Sequence, residues 1–321
     1  MLKIKIPITL SDWGQGELLA WAAESGLSAE AVPVDSLPGS LADCNVLVAD
    51  ADVPVGRALI SAMPQIRAVL CPCIGVDNVD RAALAEAGAL LANIPDYCVV
   101  AVAEFTIGLL YALTRRIPLA AARLAAGAWA QQEGLAGTEL FGKTLGVVAY
   151  GNIGADVARQ AKGLGMKVLV HRRHMDEAAI RASGYAPAPL DDLLAQSDFV
   201  TVHAPLTEET RGLIGAERIA RMKDGAYLVN VGRGGVVDEA ALLGALRGGK
   251  LAGAALDVMA QEPLPPGDPL LGMVGEKLIL TPHIAWNTEE AGAKLLGCLK
   301  RQLLALAKGE PPEHLMPWPQ T

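Results

Sequence analysis

Short apolar runs separated by helix-period segments fill the first third of the chain. Residues 3–8, 46–49 and 68–70 are apolar stretches of strand length, whereas 16–24, 55–62 and 81–87 repeat apolar positions every three to four residues. The first set reads as strands and the second as helices. Gly88 closes the third helix, and a further strand begins at 90–92. Strands alternating with helices imply βα units around a parallel sheet. From 99 to about 126 the chain is apolar apart from Glu104, Arg115, Arg116 and Arg123, with Pro118 inside it. It reads as one long helix that lies between domains or against another subunit. The stretch 127–142, with Gln131-Gln132-Glu133-Gly134 inside it, reads as a loop.

At Lys143 the alternation restarts. Strands fit 144–149, 167–170, 199–202, 226–230, 253–256 and 278–281, and helices fit 153–164, 190–195, 216–222 and 239–247. This is a second, complete doubly wound unit. An amphipathic helix at 288–308 is long enough to return to the first. The expected organisation is α/β, with two doubly wound parallel-sheet domains: 1–98 plus 288–321, and 99–287 including the long helix 99–126.

The length of 321 residues favours two cores over one, and 52% hydrophobic residues suffice to fill them. A formal net charge of −8 argues against a nucleic-acid or anionic-membrane surface. The N-terminus lacks a signal-peptide pattern, and the most apolar stretch, 99–113, contains Glu104 and is too short to span a bilayer. Cysteines 44, 71, 73, 98 and 298 form an odd set, and Cys71-Pro72-Cys73 has no second pair to complete a zinc site. They read as reduced and mostly buried, with no metal expected. A cytoplasmic enzyme fits these features.

The segment Leu145-Gly146-Val147-Val148-Ala149-Tyr150-Gly151-Asn152-Ile153-Gly154 is a hydrophobic strand, a tight turn and a helix start. A dinucleotide needs that order: Gly151 admits the pyrophosphate, Gly154 lets helix and sheet approach, and the first helical amides face the phosphates. Ala149 stands where the first glycine of the usual motif falls, and it can do so if its φ stays negative. The next strand ends in His171-Arg172-Arg173-His174 without an acid before Asp176. An acid there would accept the adenosine ribose hydroxyls of NAD, whereas two guanidiniums suit a 2′-phosphate. NADP(H) is therefore expected over NAD(H), which stays possible; the bland alternative is a solvated basic turn.

Three separated segments carry candidate chemistry: Val229-Asn230-Val231-Gly232-Arg233-Gly234-Gly235, Leu256-Asp257-Val258-Met259-Ala260-Gln261-Glu262-Pro263, and Leu280-Thr281-Pro282-His283-Ile284-Ala285-Trp286. With the glycine turn, these give the chain a resemblance, over essentially its whole length, to the D-isomer-specific 2-hydroxyacid dehydrogenases, of the glyoxylate and hydroxypyruvate reductase kind. The resemblance implies a flavodoxin-like substrate domain, a Rossmann cofactor domain, a homodimer packed through the long helix, and substrate held between the lobes. It also implies a catalytic trio of Arg233, Glu262 and His283. Reducing a ketone leaves an alkoxide that needs a proton, and an imidazole backed by a carboxylate is suited to give it. Arg233 would hold the substrate carboxylate and polarise the C2 carbonyl. By the same resemblance His203, Pro205, Val231 and Asp257 line the cofactor site, with Asp257 facing the nicotinamide amide. The resemblance also implies that the backbone amides of Ile74 and Gly75 bind the substrate carboxylate, and Ile74, Tyr97 and Trp286 read as side chains of a small, partly apolar pocket. His174 and His314 are weaker candidates. Two rivals share the fold: a dinucleotide-sensing binding protein of the corepressor type, and a formate-type dehydrogenase, whose reaction needs no proton donor.

Overall fold

The computed structural model describes residues 2–9, 13–129, 134–174 and 176–317. It divides into two compact units, Met1–Tyr97 with Thr288–Thr321, and Cys98–Asn287. In the first unit five parallel strands, β1 (Lys3–Ile8), β2 (Ser28–Pro33), β3 (Val46–Val48), β4 (Ala68–Leu70) and β5 (Leu90–Ala92), lie in the order β2-β1-β3-β4-β5. This is the flavodoxin-like order. β3 and β4 are buried at every position, as strands covered on both faces require. Leu41, Leu47, Val53, Met63, Val69 and Leu84 fill one side of this core.

The second unit has seven parallel strands: β6 (Thr144–Val148), β7 (Lys167–His171), β8 (Ala186–Pro187), β9 (Phe199–Val202), β10 (Ala226–Asn230), β11 (Leu251–Leu256) and β12 (Leu278–Leu280). Their order is β12-β11-β10-β9-β6-β7-β8. From the other edge this is the Rossmann order, third-second-first-fourth onward, and the direction of winding reverses between β6 and β9. Ligands of open α/β sheets bind at such a reversal, beyond the carboxyl ends of the strands. Among the described residues no helix is long and apolar enough to cross a membrane, and all five cysteines are free.

Several elements depart from the pattern reading. The helix expected at 99–126 is two helices, Val99–Thr114 and Ile117–Ala125, separated where Arg116 turns left-handed at φ 53°. Pro118 causes the break: it cannot donate to a preceding turn but is tolerated in the first turn of a new helix, where it sits. β2 was not expected, because its alternation is carried by small alanines on an edge strand. The helix Glu177–Ala182 and the two-residue β8 were too short to stand out. Of the loop expected at 127–142, Ala130, Gln131, Gln132 and Glu133 lie outside the described residues; no helix or strand forms in the rest.

The turn after β6 overturns a further expectation. Ala149 does not keep a negative φ but adopts 69°. Tyr150 N donates to His171 O, and Gly151 N donates to Ala149 O, both at 2.9 Å. The chain reverses immediately after the strand, with Ala149 left-handed at the start of the turn. A left-handed alanine costs roughly 1–2 kcal/mol. Ala149→Gly removes that strain, while loosening the unfolded chain and giving up the methyl's contacts with the core of this unit. A net gain of about 0.5 kcal/mol is expected, seen as a higher denaturant midpoint at unchanged slope. A lowered midpoint would mean that the methyl's packing outweighs the backbone term.

Candidate active site

The turn after β6 is built to receive a dinucleotide. At Gly154 an added Cβ would lie 2.7 Å from Ala149 O, so only glycine lets the helix Asn152–Gly163 start this close to the strand. Gly151 faces open space, with nothing within 4 Å of its missing Cβ. No side chain caps this helix, so its first-turn amides remain for an anion. Gly151 and Asn152 are exposed, Ile153 half-buried and Gly154 buried.

Across the reversal, His203 follows β9. Both of its ring nitrogens are buried without a hydrogen-bond partner, as is the hydroxyl of Thr201. Burial pushes the His203 pKa down to about 3, so the ring is neutral. Orphaned buried nitrogens at a switch point are what a bound hydroxyl- and amide-bearing ligand would satisfy. Pro205 is exposed, and Val231 is buried at the end of β10. The residues present fit a nicotinamide dinucleotide.

Arg172 and Arg173 are both exposed at the end of β7. They are not equivalent. Arg173 Nη2 pairs with Glu209 Oε1 at 2.5 Å, whereas Arg172 has no partner among the described residues. The spacing from strand to acid gave no sign of Glu209, which arrives from a different segment.

Arg233, Glu262 and His283 follow three successive strands, β10, β11 and β12, and all lie beyond carboxyl ends. The Arg233 loop is set by Asn230, which is fully buried. Its Nδ2 donates to Arg233 O at 2.9 Å, and its Oδ1 accepts from Gly232 N at 3.1 Å. Gly234 is needed for close approach, since a Cβ there would lie 1.9 Å from the main-chain carbon of Met259. Arg233 Nη1 donates to Gly232 O at 2.9 Å. Glu262 precedes a cis proline, Pro263, and its Oε1 accepts from Met259 N at 2.8 Å.

His283 is held with φ 54°, a strained position for a residue with a Cβ. Its N–H donates to Asp257 O at 2.8 Å, and its Nδ1 donates to Glu262 Oε2 at 2.7 Å. Burial alone would lower the His283 pKa, but the hydrogen bond and charge of Glu262 more than reverse this, with Arg233 opposing and Asp257 adding. The result is a raised pKa. Glu262 is the mirror image: burial raises it, but the bond and charge of His283, the Met259 amide and Arg233 leave it lowered.

Asp257 follows β11 directly. Its side chain is wholly buried. Oδ1 accepts from the Thr281 hydroxyl at 2.5 Å and Ile284 N at 3.0 Å, and Oδ2 accepts from Ala285 N at 2.8 Å. Through these bonds Asp257 fixes the loop that carries His283. Asn230 and Thr281 are the positioning residues that sequence reasoning missed. Each lies next to a motif residue, and their partners were not visible from spacing. Trp286 is half-buried at the end of the same loop.

In the first unit, Ile74 and Gly75 follow β4 and are half-buried. Asn93 Nδ2 donates to Ile74 O at 2.7 Å, and the Cys73 thiol donates to Gly75 O at 3.0 Å. The N–H groups of both residues donate to no described residue.

Residues 107–285 match the family model of the D-isomer specific 2-hydroxyacid dehydrogenase NAD binding domain. The chain is 39% identical over 277 residues to a glyoxylate reductase of Korarchaeum cryptofilum, covering 85% of this chain and 83% of that protein. It is 37% identical over 286 residues to a D-3-phosphoglycerate dehydrogenase of Methanocaldococcus jannaschii, covering 89% of this chain but only 54% of that protein. The chain thus spans about half the length of that relative. A crystal structure from Thermus thermophilus superposes with a TM-score of 0.89 at 33% identity, covering 98% of this chain and 100% of that one.

The coupling of His283 to Glu262 is open to direct measurement. In Glu262→Gln the hydrogen bond weakens and the charge is lost, so burial and Arg233 act on the imidazole against only the smaller effect of Asp257. The His283 pKa, followed by NMR of its ring protons, is expected to fall from above the ordinary histidine value to below it. An unchanged titration would show that the carboxylate does not set it.

Proposed function

We propose, from the fact that the chain belongs to the D-isomer specific 2-hydroxyacid dehydrogenase family, that it reduces a small 2-keto acid to its D-2-hydroxy acid with NADPH. The observation that carries this reading is the Nδ1 contact of His283 to Glu262 at 2.7 Å, with Arg233 close enough for its charge to act on both. When bound, the nicotinamide supplies the hydride. The protein's own part is binding, orientation and the proton. With Nδ1 committed to Glu262, His283 presents Nε2 to the carbonyl oxygen and gives it a proton as the alkoxide forms. Glu262 keeps the imidazole charged and correctly turned. Arg233 binds the substrate carboxylate and draws on the carbonyl oxygen. The free amides of Ile74 and Gly75 are assigned to the same carboxylate, and Trp286 to the substrate's side chain. Positioned proton transfer of this kind contributes roughly 10²–10⁴-fold.

Gly151, Asn152, Ile153 and Gly154 are assigned to the pyrophosphate, and His203, Pro205 and Val231 to the nicotinamide half, with Asp257 behind them. Arg172 and Arg173 are assigned to the 2′-phosphate. Glyoxylate and hydroxypyruvate are the favoured substrates, in line with the glyoxylate reductase among the relatives. A cytoplasmic homodimer belongs to the same reading, supported by the exposed apolar side chains of Val100, Tyr111, Ile117 and Leu124. A dinucleotide sensor is not favoured, since it has no use for an imidazole held charged beside a guanidinium.

Steady-state assays with a panel of 2-keto acids test the reading. Turnover of glyoxylate or hydroxypyruvate is expected, with kcat/KM higher for NADPH than for NADH. Equal or better use of NADH would reject the assignment of the arginine pair. His283→Ala is expected to lower kcat by about 10²-fold or more while leaving NADPH affinity nearly intact. Near-normal turnover in that variant removes His283 from the chemistry.

A further inference from the structure

In the first unit three unlike ligand types converge. Cys298 is buried in the helix Glu289–Lys308, and Glu313 and His314 lie in the tail that follows it. Their sulfur, carboxylate oxygen and imidazole nitrogen all lie within 4.8 Å of one another. Cys298 Sγ is 3.9 Å and His314 Nε2 is 4.0 Å from the same atom, Glu313 Oε2. The geometry points to a site for a divalent cation of the zinc class, held by Cys298, Glu313 and His314.

The distances suit such an ion after a small closure. Zinc bonds of about 2.0–2.3 Å arranged tetrahedrally separate their ligand atoms by roughly 3.4–3.6 Å, so the two pairs that share Glu313 Oε2 need to close by about half an ångström and the Cys298–His314 pair, within 4.8 Å, by about 1 Å at most. Glu313 is already set to bind through one oxygen. Arg301 Nε holds Oε1 at 2.7 Å, and its Nη2 reaches Oε2 at the longer 3.1 Å. An ion on Oε2 replaces the longer bond and leaves the shorter one to orient the carboxylate, the usual arrangement behind a metal ligand.

A candidate fourth ligand lies on the same helix as Cys298. Gln302, one turn beyond Cys298, is fully buried. Its Nε2 donates to the main-chain oxygens of Asn93 at 3.1 Å and Glu313 at 2.9 Å. Its Oε1 is buried with no partner. The surroundings are also acidic, since Asp96 joins Glu313 in acting on Cys298, with Arg301 the opposing charge. Burial first, then Glu313, pushes the Cys298 thiol up to about 11, so it is no ready nucleophile; a bound divalent ion would take its proton. Sulfur with imidazole selects zinc or cobalt over magnesium or calcium.

An ion here would fasten the tail to both helix and sheet. The tail already reaches β5, where Met316 N donates to Leu91 O at 2.9 Å. The spacing of 15 residues between Cys298 and Glu313 matches no paired-cysteine motif, which is why the set is invisible by spacing.

Cobalt is the informative probe. Tag-free full-length protein titrated with Co²⁺ is expected to develop a near-ultraviolet sulfur-to-cobalt charge-transfer band that saturates at one equivalent and disappears on adding Zn²⁺. The band is expected to vanish in Cys298→Ser and to survive in Cys73→Ser. His314 is exposed, so His314→Gln should fold normally; chelator competition is expected to show its Zn²⁺ affinity reduced roughly tenfold or more. Absence of the band in the unaltered protein, its survival in Cys298→Ser, or an unchanged Zn²⁺ affinity in His314→Gln each overturns the assignment. None of these readings depends on turnover, so failure here leaves the dehydrogenase reading standing.

Discussion

The site depends on one buried carboxylate. Asp257 ends β11 inside the core of its unit, and three donors from the 281–285 segment close on its two oxygens. Without them an isolated charge at that depth would be costly, since desolvation already raises its pKa. With them, the loop after β12 has one available path. His283 is held left-handed on that path by its own N–H bond to the Asp257 main chain. The strain of that conformation, of order 1–3 kcal/mol, persists because the surrounding bonds over-determine it.

The loop after β10 follows the same logic with a neutral group. Asn230 is as deeply buried as Asp257, and its amide bonds both sides of the turn that presents Arg233. Between the two, Glu262 is braced by the Met259 amide, and Ala260 N donates to Glu239 at 2.6 Å. Arg233 and His283 thus stand on loops whose backbone is hydrogen-bonded to buried polar groups at strand ends, and the Glu262 loop is tied to the first residue of the helix Glu239–Arg247. That arrangement gives precision on loops that would otherwise be the mobile part of an α/β fold.

Alternation of apolar runs with helix-period segments exposed both sheets and most strands, because a parallel strand covered on both faces is a continuous apolar run that polar residues rarely interrupt. β2 escaped because alanines at an edge carry little hydrophobic contrast, and the break at Arg116 escaped because apolar periodicity continues across it. The trio at the strand ends was legible because each member sits in a local motif. Asn230, Thr281 and Glu209 were not, since their meaning lies in partners brought from other segments by the sheet. Ala149 shows the limit most clearly. The residue type argued for a negative φ, and the hydrogen bonds of the turn decided otherwise.

Burial and pairing act in opposite directions on the central pair, and the balance sets when both members are charged. A raised imidazole contributes its stabilisation below the ordinary histidine pKa and loses it as pH rises through the raised value. A lowered carboxylate contributes above the ordinary glutamate pKa and loses it as pH falls through the lowered value. Between the lowered Glu262 and the raised His283 the ion pair is complete. The pairing widens the pH range over which the imidazole keeps its proton. A site built this way suits the proposed reduction, in which the imidazole gives a proton to the forming alkoxide. Running the reverse reaction needs the neutral imidazole, and the carboxylate that favours the proton makes that form scarcer, at any given pH, than it would be for an unpaired histidine.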